Sequence, residues 1–458
     1  MKNLAPEIFK AYDVRGIVGR TLTVPVVEAI GQVLGTESLA KKCGTFAIGR
    51  DGRLSGPELA AALARGLQKS GANVIDVGQV ATPMLYFAVH HLATHSGVSV
   101  TGSHNPPDYN GLKMMVAGET LWGEAIQDLR RRIERGDLAQ GAGSYCEHSI
   151  REEYLQRIVS DVKLSRSMSV VVDCGNGVAG GTAPELYRRL GCKVTELFCE
   201  VDGNFPNHHP DPSQPKNLVD LKNALAAGKG EIGFAFDGDG DRLGVVTRRG
   251  KIIYPDRLLM LFAADVLKRN PGAQIIFDVK STRNLFAWVT KHGGTPLLWK
   301  TGHSFIKQKL KETGAALAGE MSGHIFFKER WYGFDDALYA GSRLLEILSH
   351  ESDPGAALEN LPDAISTPEL HVQLAEGENF TLIDKLRETA RFEGAQDIIT
   401  IDGLRVEYAD GFGLARPSNT TPVVVLRFEA DDEAAMKRIQ EDFRRALQAV
   451  KPGISLPF

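Results

Sequence analysis

Hydrophobic positions along most of the chain follow two alternating patterns. Short runs rich in β-branched residues predict strands, and longer stretches with apolar residues three and four apart predict helices between them. The first set of runs predicts a helix over residues 57–70 and strands at residues 45–49, 74–77, 97–100 and 112–116. This alternation is typical of α/β domains.

The same order of runs recurs twice further along the chain. The second set lies at residues 169–172, 193–197, 232–236 and 244–247, and the third at 274–277, 295–299, 315–318 and 324–327. In each set a polar, glycine-containing loop follows the third predicted strand, at residues 101–105, 237–241 and 319–324. Ligand sites in α/β sheets lie beyond the carboxyl ends of strands, so three matching loops predict one site assembled by three domains.

After about residue 365 the pattern changes to that of an α+β domain. Asp402-Gly403 predicts a hairpin turn, a helix is expected over residues 432–450, and strands are expected at 369–374, 398–401, 404–408 and 423–429. Joints that contain proline or glycine lie near residues 141–144, 254–255 and 362. They divide the chain into four expected domains, at residues 1–150, 151–254, 255–365 and 366–458.

Composition excludes several classes of protein. The 458 residues are 43% hydrophobic and 24% charged, which is ordinary for a globular protein and excludes disordered, collagenous and coiled-coil chains. The formal net charge of -4 disfavours a nucleic-acid partner, so a bound anion must be held by local chemistry. No apolar run is long enough to span a membrane and the start lacks the apolar core of a signal peptide, so we expect a cytoplasmic protein.

The five cysteines include no CxxC pair. This pattern favours reduced thiols over a disulfide framework or a zinc site. Free cysteines usually behave as small apolar residues, so we expect these five to be buried.

Asp237, Asp239 and Asp241 alternate with glycines in the second of the three loops. Converging carboxylates repel one another unless a cation is present, and hard oxygen donors favour Mg²⁺ or Ca²⁺ over zinc. An EF-hand would need Gly and Glu at the positions that Arg242 and Arg248 occupy. We therefore expect a metal site of another kind, with a solvated acidic turn as the alternative.

Ser103 lies in the first loop, followed by His104 and Asn105, with Lys113 further on. A loop serine taken alone is usually a solvated turn residue. The chain has no GxSxG elbow, which disfavours acyl transfer. Phosphoryl transfer needs no such elbow, because it depends mainly on positioning and charge neutralisation. Ser103 and the acidic loop together therefore fit a phosphoserine beside a metal ion.

Two further loops offer groups that suit a phosphosugar. Residues 416–422 combine the guanidinium of Arg416 with three hydroxyls and an amide, a set that matches a phosphate dianion. In the third loop Glu320, Ser322 and His324 alternate, so in an extended segment they face one side and could meet sugar hydroxyls. Each loop has a structural alternative, as an ordinary turn or as a strand end with a core histidine.

Five motifs occur in the order and spacing of the phosphohexomutase family: AYDVRG, TGSHNPPDYNG, DGDGDR, GEMSGH and RPSNTTP. The chain resembles the phosphomannomutase/phosphoglucomutase branch of that family over essentially its whole length. GEMSGH, rather than the GEQSGH of phosphoglucosamine mutases, favours glucose and mannose phosphates over the amino sugar. Lys10 stands where the family has Arg, a conservative departure. The resemblance implies three similar α/β domains with mixed sheets plus a smaller C-terminal α+β domain around a central cleft.

The resemblance also implies a role for each matching residue. Ser103 corresponds to the phosphorylated serine, which binds Mg²⁺ together with Asp237, Asp239 and Asp241. Glu320 and Ser322 correspond to residues that contact sugar hydroxyls. The residues that correspond to the binding site of the phosphate that is not reacting are Arg416, Ser418, Asn419 and Thr420. Other positions that line the cleft are expected in catalysis (Arg15, His104, Lys113, His324), in substrate binding (Tyr12, Lys280, His303, His324) and in charge stabilisation (Arg242).

The reaction implied is reversible transfer of phosphate between O1 and O6 of glucose and mannose phosphates. It proceeds through phospho-Ser103 and a hexose 1,6-bisphosphate, which should also act as an activator, while Mg²⁺ neutralises charge. Lys113 and His324 are the candidates for the group that accepts and returns the hydroxyl proton. The expected partners are phosphosugars, with no nucleic acid and no membrane, and we expect a monomer or a weak dimer.

Three other functions compete with this interpretation. A phosphoglucosamine mutase would act on the amino sugar, and a metal-dependent sugar phosphatase would send the phosphate to water. A non-catalytic sugar-phosphate binding protein would need neither Ser103 nor the three carboxylates, so their presence disfavours it.

The fourth domain joins the others through one joint near Pro362. We therefore expect its interface with them to be modest and the domain to act as a movable clamp on a phosphate held by Arg416.

Overall fold

The computed structural model describes residues 4–419 and 421–458. In these ranges the strands form four separate sheets, of seven, five, four and six strands. We call the parts of the chain around them the first to fourth domains. No helix of the described residues is long and apolar enough to cross a membrane.

The first domain surrounds the seven-stranded sheet. Its strands are β1 (Val14–Ile17), β2 (Thr45–Arg50), β3 (Asn73–Gln79), β4 (Ser96–Val100), β5 (Tyr109–Val116), β6 (Glu119–Thr120) and β7 (Tyr145–Glu147). Its helices are α1 (Val24–Ala40), α2 (Gly56–Ser70), α3 (Thr82–His91) and α4 (Glu124–Arg135). The predicted helix over residues 57–70 is confirmed, and it ends where Gly71 takes a left-handed φ of 100°.

The second and third domains repeat this layout with fewer strands. The second contains α5 (Arg151–Asp161), β8 (Ser169–Asp173), α6 (Ala183–Arg189), β9 (Lys193–Leu197), α7 (Val219–Ala226), β10 (Ile232–Phe236), β11 (Leu243–Thr247) and β12 (Ile252–Ile253). The third contains α8 (Pro255–Arg269), β13 (Gln274–Asp278), α9 (Asn284–Lys291), β14 (Thr295–Trp299), α10 (His303–Thr313), β15 (Leu317–Gly319), β16 (Ile325–Phe327), α11 (Ala337–Leu348) and α12 (Pro354–Glu359).

The three sheets share one strand order, which confirms the predicted repeat. The matching orders are β5-β4-β2-β3, β11-β10-β8-β9 and β16-β15-β13-β14. In each, the third strand of the set is parallel to the first and antiparallel to the fourth, so the sheets are mixed. The loop after the third strand therefore leaves each domain at an equivalent place.

The fourth domain is α+β, as predicted. It contains β17 (Ile365–Ser366), β18 (Leu370–Gln373), α13 (Glu378–Thr389), β19 (Asp397–Ile399), β20 (Leu404–Tyr408), β21 (Gly411–Pro417), β22 (Val423–Ala430) and α14 (Glu433–Val450). β19 and β20 pair antiparallel around Asp402-Gly403, which confirms the hairpin. The sequence patterns missed α13 and β21.

β21 lies between β20 and β22 in the sheet, although its glycines resemble turn signals. A Cβ added at Gly413 would lie 2.3 Å from the ring of Phe443 in α14. The absence of a side chain at Gly413 is therefore what lets the helix lie against the strand.

Buried apolar residues join the first three domains, and the fourth adds Phe412 and Leu414 of β21 to that cluster besides forming a core of its own. One cluster runs through the first three and includes Phe87 of α3, Phe234 of β10 and Phe277 of β13. The fourth domain's cluster includes Phe428 and Phe443. The first domain also has a further cluster within its own layers.

The interface between the third and fourth domains differs from the modest one expected. Arg427 pairs with Asp256 at 3.3 Å, and both side chains are buried. Arg405, also fully buried, donates to the carbonyl of Val279 at 2.7 Å. Separating the two domains would break these buried polar contacts and expose Phe412 and Leu414 of the shared apolar cluster, so this expectation is wrong for the contact with the third domain.

The cysteines are less buried than expected. Cys174 and Cys192 are buried, but Cys43 and Cys199 are only half-buried and Cys146 is exposed. Cys146 lies on β7, an edge strand of the first sheet, where one side of the strand has no neighbouring strand within residues 4–419 and 421–458.

Helices α1 and α2 approach each other closely at Gly66, where an added Cβ would lie 2.0 Å from the backbone oxygen of Glu28. We predict that Gly66→Ala forces the helices apart and lowers the free energy of unfolding of the first domain by about 1–3 kcal/mol. Gly56→Ala on the same helix is the matched control, because its added Cβ finds the nearest atom 3.4 Å away. Urea denaturation followed by circular dichroism measures both, and a Gly66→Ala protein as stable as the control would contradict the prediction.

Candidate active site

The loops after β4, β10 and β15 meet around one cleft with a cavity volume of about 430 Å³. This volume lies in the range of small-molecule sites. All four domains line the cleft, and they bring together most of the residues that the sequence indicated: Tyr12, Arg15, Ser103, His104, Lys113, Arg242, Lys280, His303, Glu320, Ser322, His324, Arg416 and Ser418.

The loop that carries Ser103 is held by a buried ion pair that sequence analysis missed. Ser103 has a φ of 50°, a left-handed conformation that its surroundings must stabilise. Asp51 pairs with Arg53 at 3.2 Å and accepts from the N–H of Gly102. Arg53 donates to four backbone carbonyls of the loop and the following strand, those of Ser103, Asn105, Pro106 and Tyr109. Asp51 and Arg53 directly follow β2, and that position at a strand end is the signal that could have found them.

The Ser103 hydroxyl lies at the point where the first two domains meet. Its Oγ is 3.1 Å from Oδ2 of Asp237 and 3.1 Å from Nδ1 of His104. Burial, together with the charges of Arg242 and Arg15, lowers the pKa of His104 well below its ordinary value. The hydroxyl therefore faces one carboxylate and one neutral ring.

Asp237, Asp239 and Asp241 converge as predicted, with one oxygen of each within 4.8 Å of the others. Nζ of Lys113 lies 2.7 Å from Asp239 and 2.5 Å from Asp241. Burial alone would lower the pKa of Lys113, but these carboxylates outweigh it and raise the pKa well above its ordinary value. Lys113 therefore stays protonated and balances part of the charge of the cluster.

The cluster still has room for a cation. Among the described residues, one oxygen of Asp239 and one of Asp241 are buried without a hydrogen-bond donor. Burial and repulsion from the other two carboxylates raise the pKa of Asp237 well above its ordinary value. A divalent cation would relieve both conditions, and carboxylate oxygens are suitable ligands for hard cations. The residues present therefore fit a metal ion.

His324 lies between Arg242 and Asp335, a residue that sequence analysis did not single out. Nε of Arg242 donates to Nε2 of His324 at 3.1 Å, and Nδ1 of His324 is 3.0 Å from Oδ2 of Asp335. A ring that accepts at Nε2 carries its proton on Nδ1. Although burial opposes the charge of Asp335, Lys307 at 3.0 Å holds the pKa of that carboxyl well below its ordinary value. Asp335 is thus ionised and can orient the ring.

Residues 320–324 form a tight turn rather than the extended segment expected. Gly323 has a φ of 106°, and the N–H of Glu320 donates to the carbonyl of His324 at 2.9 Å. The expectation that three side chains share one face of an extended segment is wrong, because the conformation of Gly323 closes the turn. The turn nevertheless places Oγ of Ser322 3.1 Å from Oε2 of Glu320. A hydroxyl and a carboxylate therefore lie side by side in the cleft.

Arg416 and Pro417 are the last residues of β21, so the expected phosphate loop begins after them. Nε of Arg416 donates to Asp402 at 3.0 Å, in the predicted hairpin turn. Nη2 of Arg416 is buried and has no hydrogen-bond partner within the described part of the chain. A guanidinium N–H without a partner in a cleft can bind an anion such as phosphate.

The remaining phosphate candidates differ in placement. Ser418 lines the cleft, whereas Asn419 does not. Burial raises the pKa of Tyr12, while the charge of Arg416 and, to a smaller extent, a side-chain hydrogen bond with Asn419 act in the opposite direction. Asn419 therefore connects the fourth domain to the first across the cleft. Thr420 lies outside the described residues.

Two cleft residues of the third domain have partners that the sequence did not indicate. Lys280 pairs with Glu369 at 2.6 Å, next to the joint that leads into the fourth domain. Burial and the charge of Lys307 lower the pKa of His303 well below its ordinary value, so this ring is neutral. Glu369 was missed because a charged residue at a predicted strand end gives no signal of such a contact.

Four regions of the chain match the described domains of one family in order. Residues 6–140, 152–250 and 254–365 match phosphoglucomutase/phosphomannomutase alpha/beta/alpha domains I, II and III. Residues 369–446 match the C-terminal domain of the same family.

Full-length relatives agree with these matches. The chain is 60% identical to a phosphoglucomutase of Neisseria meningitidis serogroup A, with all of both chains covered. It is 57% identical to a phosphomannomutase/phosphoglucomutase of Pseudomonas aeruginosa PAO1, covering 99% of this chain and 98% of that one. A crystal structure of a phosphoglucomutase/phosphomannomutase family protein from Burkholderia thailandensis superposes with a TM-score of 0.95 at 58% identity over the whole of both chains. Because the four domain matches, the relatives and the fold agree along nearly its whole length, the chain belongs to the phosphoglucomutase/phosphomannomutase family.

Proposed function

We propose that the protein is a phosphohexomutase that moves phosphate reversibly between O1 and O6 of glucose and mannose phosphates, with Ser103 as the phosphoryl carrier. The observation that carries the proposal is the contact of 3.1 Å between Oγ of Ser103 and the acidic cluster, at the base of a cleft lined by all four domains. The names of the relatives from Neisseria and Pseudomonas support this class of substrate. The proposal includes a hexose 1,6-bisphosphate activator and a cytoplasmic monomer or weak dimer.

In the proposed reaction, the free hydroxyl oxygen of the bound monophosphate attacks the phosphorus of phospho-Ser103. The bond from phosphorus to Oγ of Ser103 breaks, and a 1,6-bisphosphate forms. The bisphosphate turns over in the cleft and its other phosphoryl group returns to Ser103, which leaves the isomeric monophosphate. Phosphate therefore moves between the two positions without release to water.

Asp237, Asp239 and Asp241 would hold Mg²⁺ beside Ser103. When bound, the ion neutralises charge on the transferring phosphoryl group. Arg242, which follows the third carboxylate, lies within 3.9 Å of Asp237 and can share that task.

The contacts favour His324 over Lys113 as the group that accepts the hydroxyl proton. The Lys113 ammonium is engaged by two carboxylates. His324 presents Nε2 to the N–H of Arg242, while Oδ2 of Asp335 lies 3.0 Å from Nδ1 on the other side of the ring. The lone pair of Nε2 accepts from Arg242 in this structure, so His324 takes the sugar hydroxyl proton only after Arg242 turns to the transferring phosphate. Nε2 returns that proton when the phosphoryl group returns to Ser103.

Nη2 of Arg416, which has no hydrogen-bond partner among the residues that the structure describes, would hold the phosphate that is not reacting, together with Ser418. Glu320 and Ser322, which also line the cleft, would meet sugar hydroxyls. This pair of subsites supports retention of the bisphosphate, which a phosphatase does not need. Comparing released inorganic phosphate with isomerised sugar phosphate separates a mutase from a phosphatase.

We predict that the purified protein carries one phosphate on Ser103, seen by intact mass as an adduct of about 80 Da. Ser103→Ala should lack the adduct and lose nearly all conversion of glucose 1-phosphate, because no other group then carries the phosphoryl. Ser160→Ala, at an exposed position of α5, is the control and should keep both. Full turnover by Ser103→Ala without added bisphosphate would refute the assignment.

A second prediction concerns the metal. Asp239→Asn removes a negative donor from the cluster, so Mg²⁺ titrated calorimetrically into the protein should bind about tenfold or more weakly. Asp108→Asn, an exposed carboxylate in the Ser103 loop, should bind Mg²⁺ as the unaltered protein does. Activity that survives complete chelation by EDTA would show the metal assignment to be wrong.

A third prediction concerns the fourth domain. A phosphate bound by Arg416 should favour the state in which Asn419 contacts Tyr12 across the cleft. Arg416→Ala should therefore raise KM for both 1- and 6-phosphosugars and abolish compaction seen by small-angle scattering with glucose 1-phosphate. Arg387→Ala, at an exposed position of the same domain, is the control. Equal compaction in the Arg416→Ala protein, or none in the unaltered protein, would contradict the clamp.

A further inference from the structure

Two thiols face each other beyond the carboxyl ends of two strands of the second sheet, outside the cleft. Cys174 directly follows β8, Cys199 follows β9, and their sulfur atoms are 3.6 Å apart. β8 and β9 are parallel neighbours in which Asp173 lies opposite Leu197. Both cysteines therefore lie just beyond the carboxyl ends of these strands, at the same end of the sheet. A disulfide needs a sulfur separation of about 2.05 Å, so the two atoms need to approach by only about 1.5 Å.

We propose that Cys174 and Cys199 form a reversible intramolecular disulfide on reaction with a hydroperoxide, and that this bond slows turnover. The second part rests on the proposed mutase function, while the first part does not. The family matches assign no role to either cysteine, and both lie outside the residues that line the cleft.

The exposure of the two thiols sets the order of the steps. Cys199 is half-buried, whereas Cys174 is fully buried. Burial and the neighbouring Cys199 raise the pKa of the Cys174 thiol well above its ordinary value, so Cys174 is a poor first nucleophile. Cys199 is therefore the thiol that meets the oxidant.

In the first step, the Cys199 thiolate attacks a peroxide oxygen, the O–O bond breaks, and a sulfenic acid forms on Cys199. In the second, the Cys174 sulfur attacks the Cys199 sulfur, the S–OH bond breaks, and the departing hydroxide takes the Cys174 proton and leaves as water. Overall two thiols and one hydroperoxide give a disulfide, one water and one alcohol, or two waters when the oxidant is hydrogen peroxide. A dithiol reverses the reaction by exchange.

The bond would act on the metal loop through the backbone that follows Cys174. The N–H of Asn176 in this segment donates to the carbonyl of Phe198 at 2.8 Å, so the segment is held against the residues that lead to Cys199. The N–H of Val178 donates to the carbonyl of Gly238, between the first two metal-site carboxylates. A Cβ added at Gly238 would lie 2.2 Å from the carbonyl oxygen of Ser103. A small movement of the segment after Cys174 would therefore also move the metal loop and the Ser103 loop, because the three are in direct contact.

Cys192 provides a matched control because it is a buried cysteine of the same domain, placed before β9 rather than after it. The unaltered protein and the variants Cys174→Ala, Cys199→Ala and Cys192→Ala are treated in the folded state with hydrogen peroxide. Their free thiols are then alkylated in denaturant, and peptides are mapped by mass spectrometry.

We expect the unaltered protein and Cys192→Ala to lose two alkylatable thiols and about 2 Da, with a mapped crosslink between Cys174 and Cys199 that dithiothreitol removes. Cys174→Ala and Cys199→Ala should form no such crosslink. Absence of the crosslink in the folded, unaltered protein, or its appearance only after unfolding, would overturn the proposal. Use of both single variants keeps the test valid if one of them folds poorly.

The activity arm uses the same samples. Peroxide should lower conversion of glucose 1-phosphate by the unaltered protein about threefold or more, with recovery after dithiothreitol, while Cys174→Ala keeps its activity. Equal loss in Cys174→Ala would overturn the regulatory part. A protein without mutase activity before treatment would contradict the proposed function instead, and thiol mapping would still decide whether the disulfide forms.

Discussion

Three carboxylates buried within 4.8 Å of one another are stable only where positive charge and hydrogen-bond donors face them. The first domain supplies these groups to the cluster of the second. Lys113 of β5 pairs with two of the carboxylates, and Thr82 at the start of α3 donates to Asp239 at 2.6 Å. The same constraint brings the Ser103 loop against Asp237. Charge balance at one point thus fixes how two domains meet and where the serine hydroxyl lies.

The threefold repeat explains why so many polar groups reach this point. Each of the first three sheets has one strand order, and the loop after its third strand leaves the domain at the same place. The copies differ in strand number and, at this equivalent place, in what the loop carries: a serine in the first, carboxylates in the second, and a turn with Glu320 in the third. The fourth domain, built on a different plan, adds the guanidinium of Arg416. Variation of short loops on a repeated scaffold is sufficient to build an asymmetric site.

Local patterns predicted the parts of the fold and site that depend on neighbouring residues. The alternating aspartates and the Asp402-Gly403 hairpin belong to this group, because each is defined within a few positions. The position of Arg53 after β2 was a local signal, but its contact with Ser103 was not predictable in this way, since Ser103 lies 50 residues further along the chain. Asp335 gave no signal either, because its effect depends on His324 and Lys307 packing around it. β21 was missed because its glycines resemble turn signals in the sequence, whereas in the fold Gly413 leaves the space in which α14 packs against the strand.

The packing of Phe443 against Gly413 links the outer surface of the fourth domain to its catalytic side. Gly413 lies on the same strand as Arg416, three residues before it. The ring of Phe443 therefore determines the distance between α14 and the strand that carries Arg416. A substitution on the inner face of α14 would therefore shift the guanidinium without touching any group in the cleft. Substitutions in a remote helix can thus tune the phosphate affinity proposed for Arg416 while the residues that line the cleft stay unchanged.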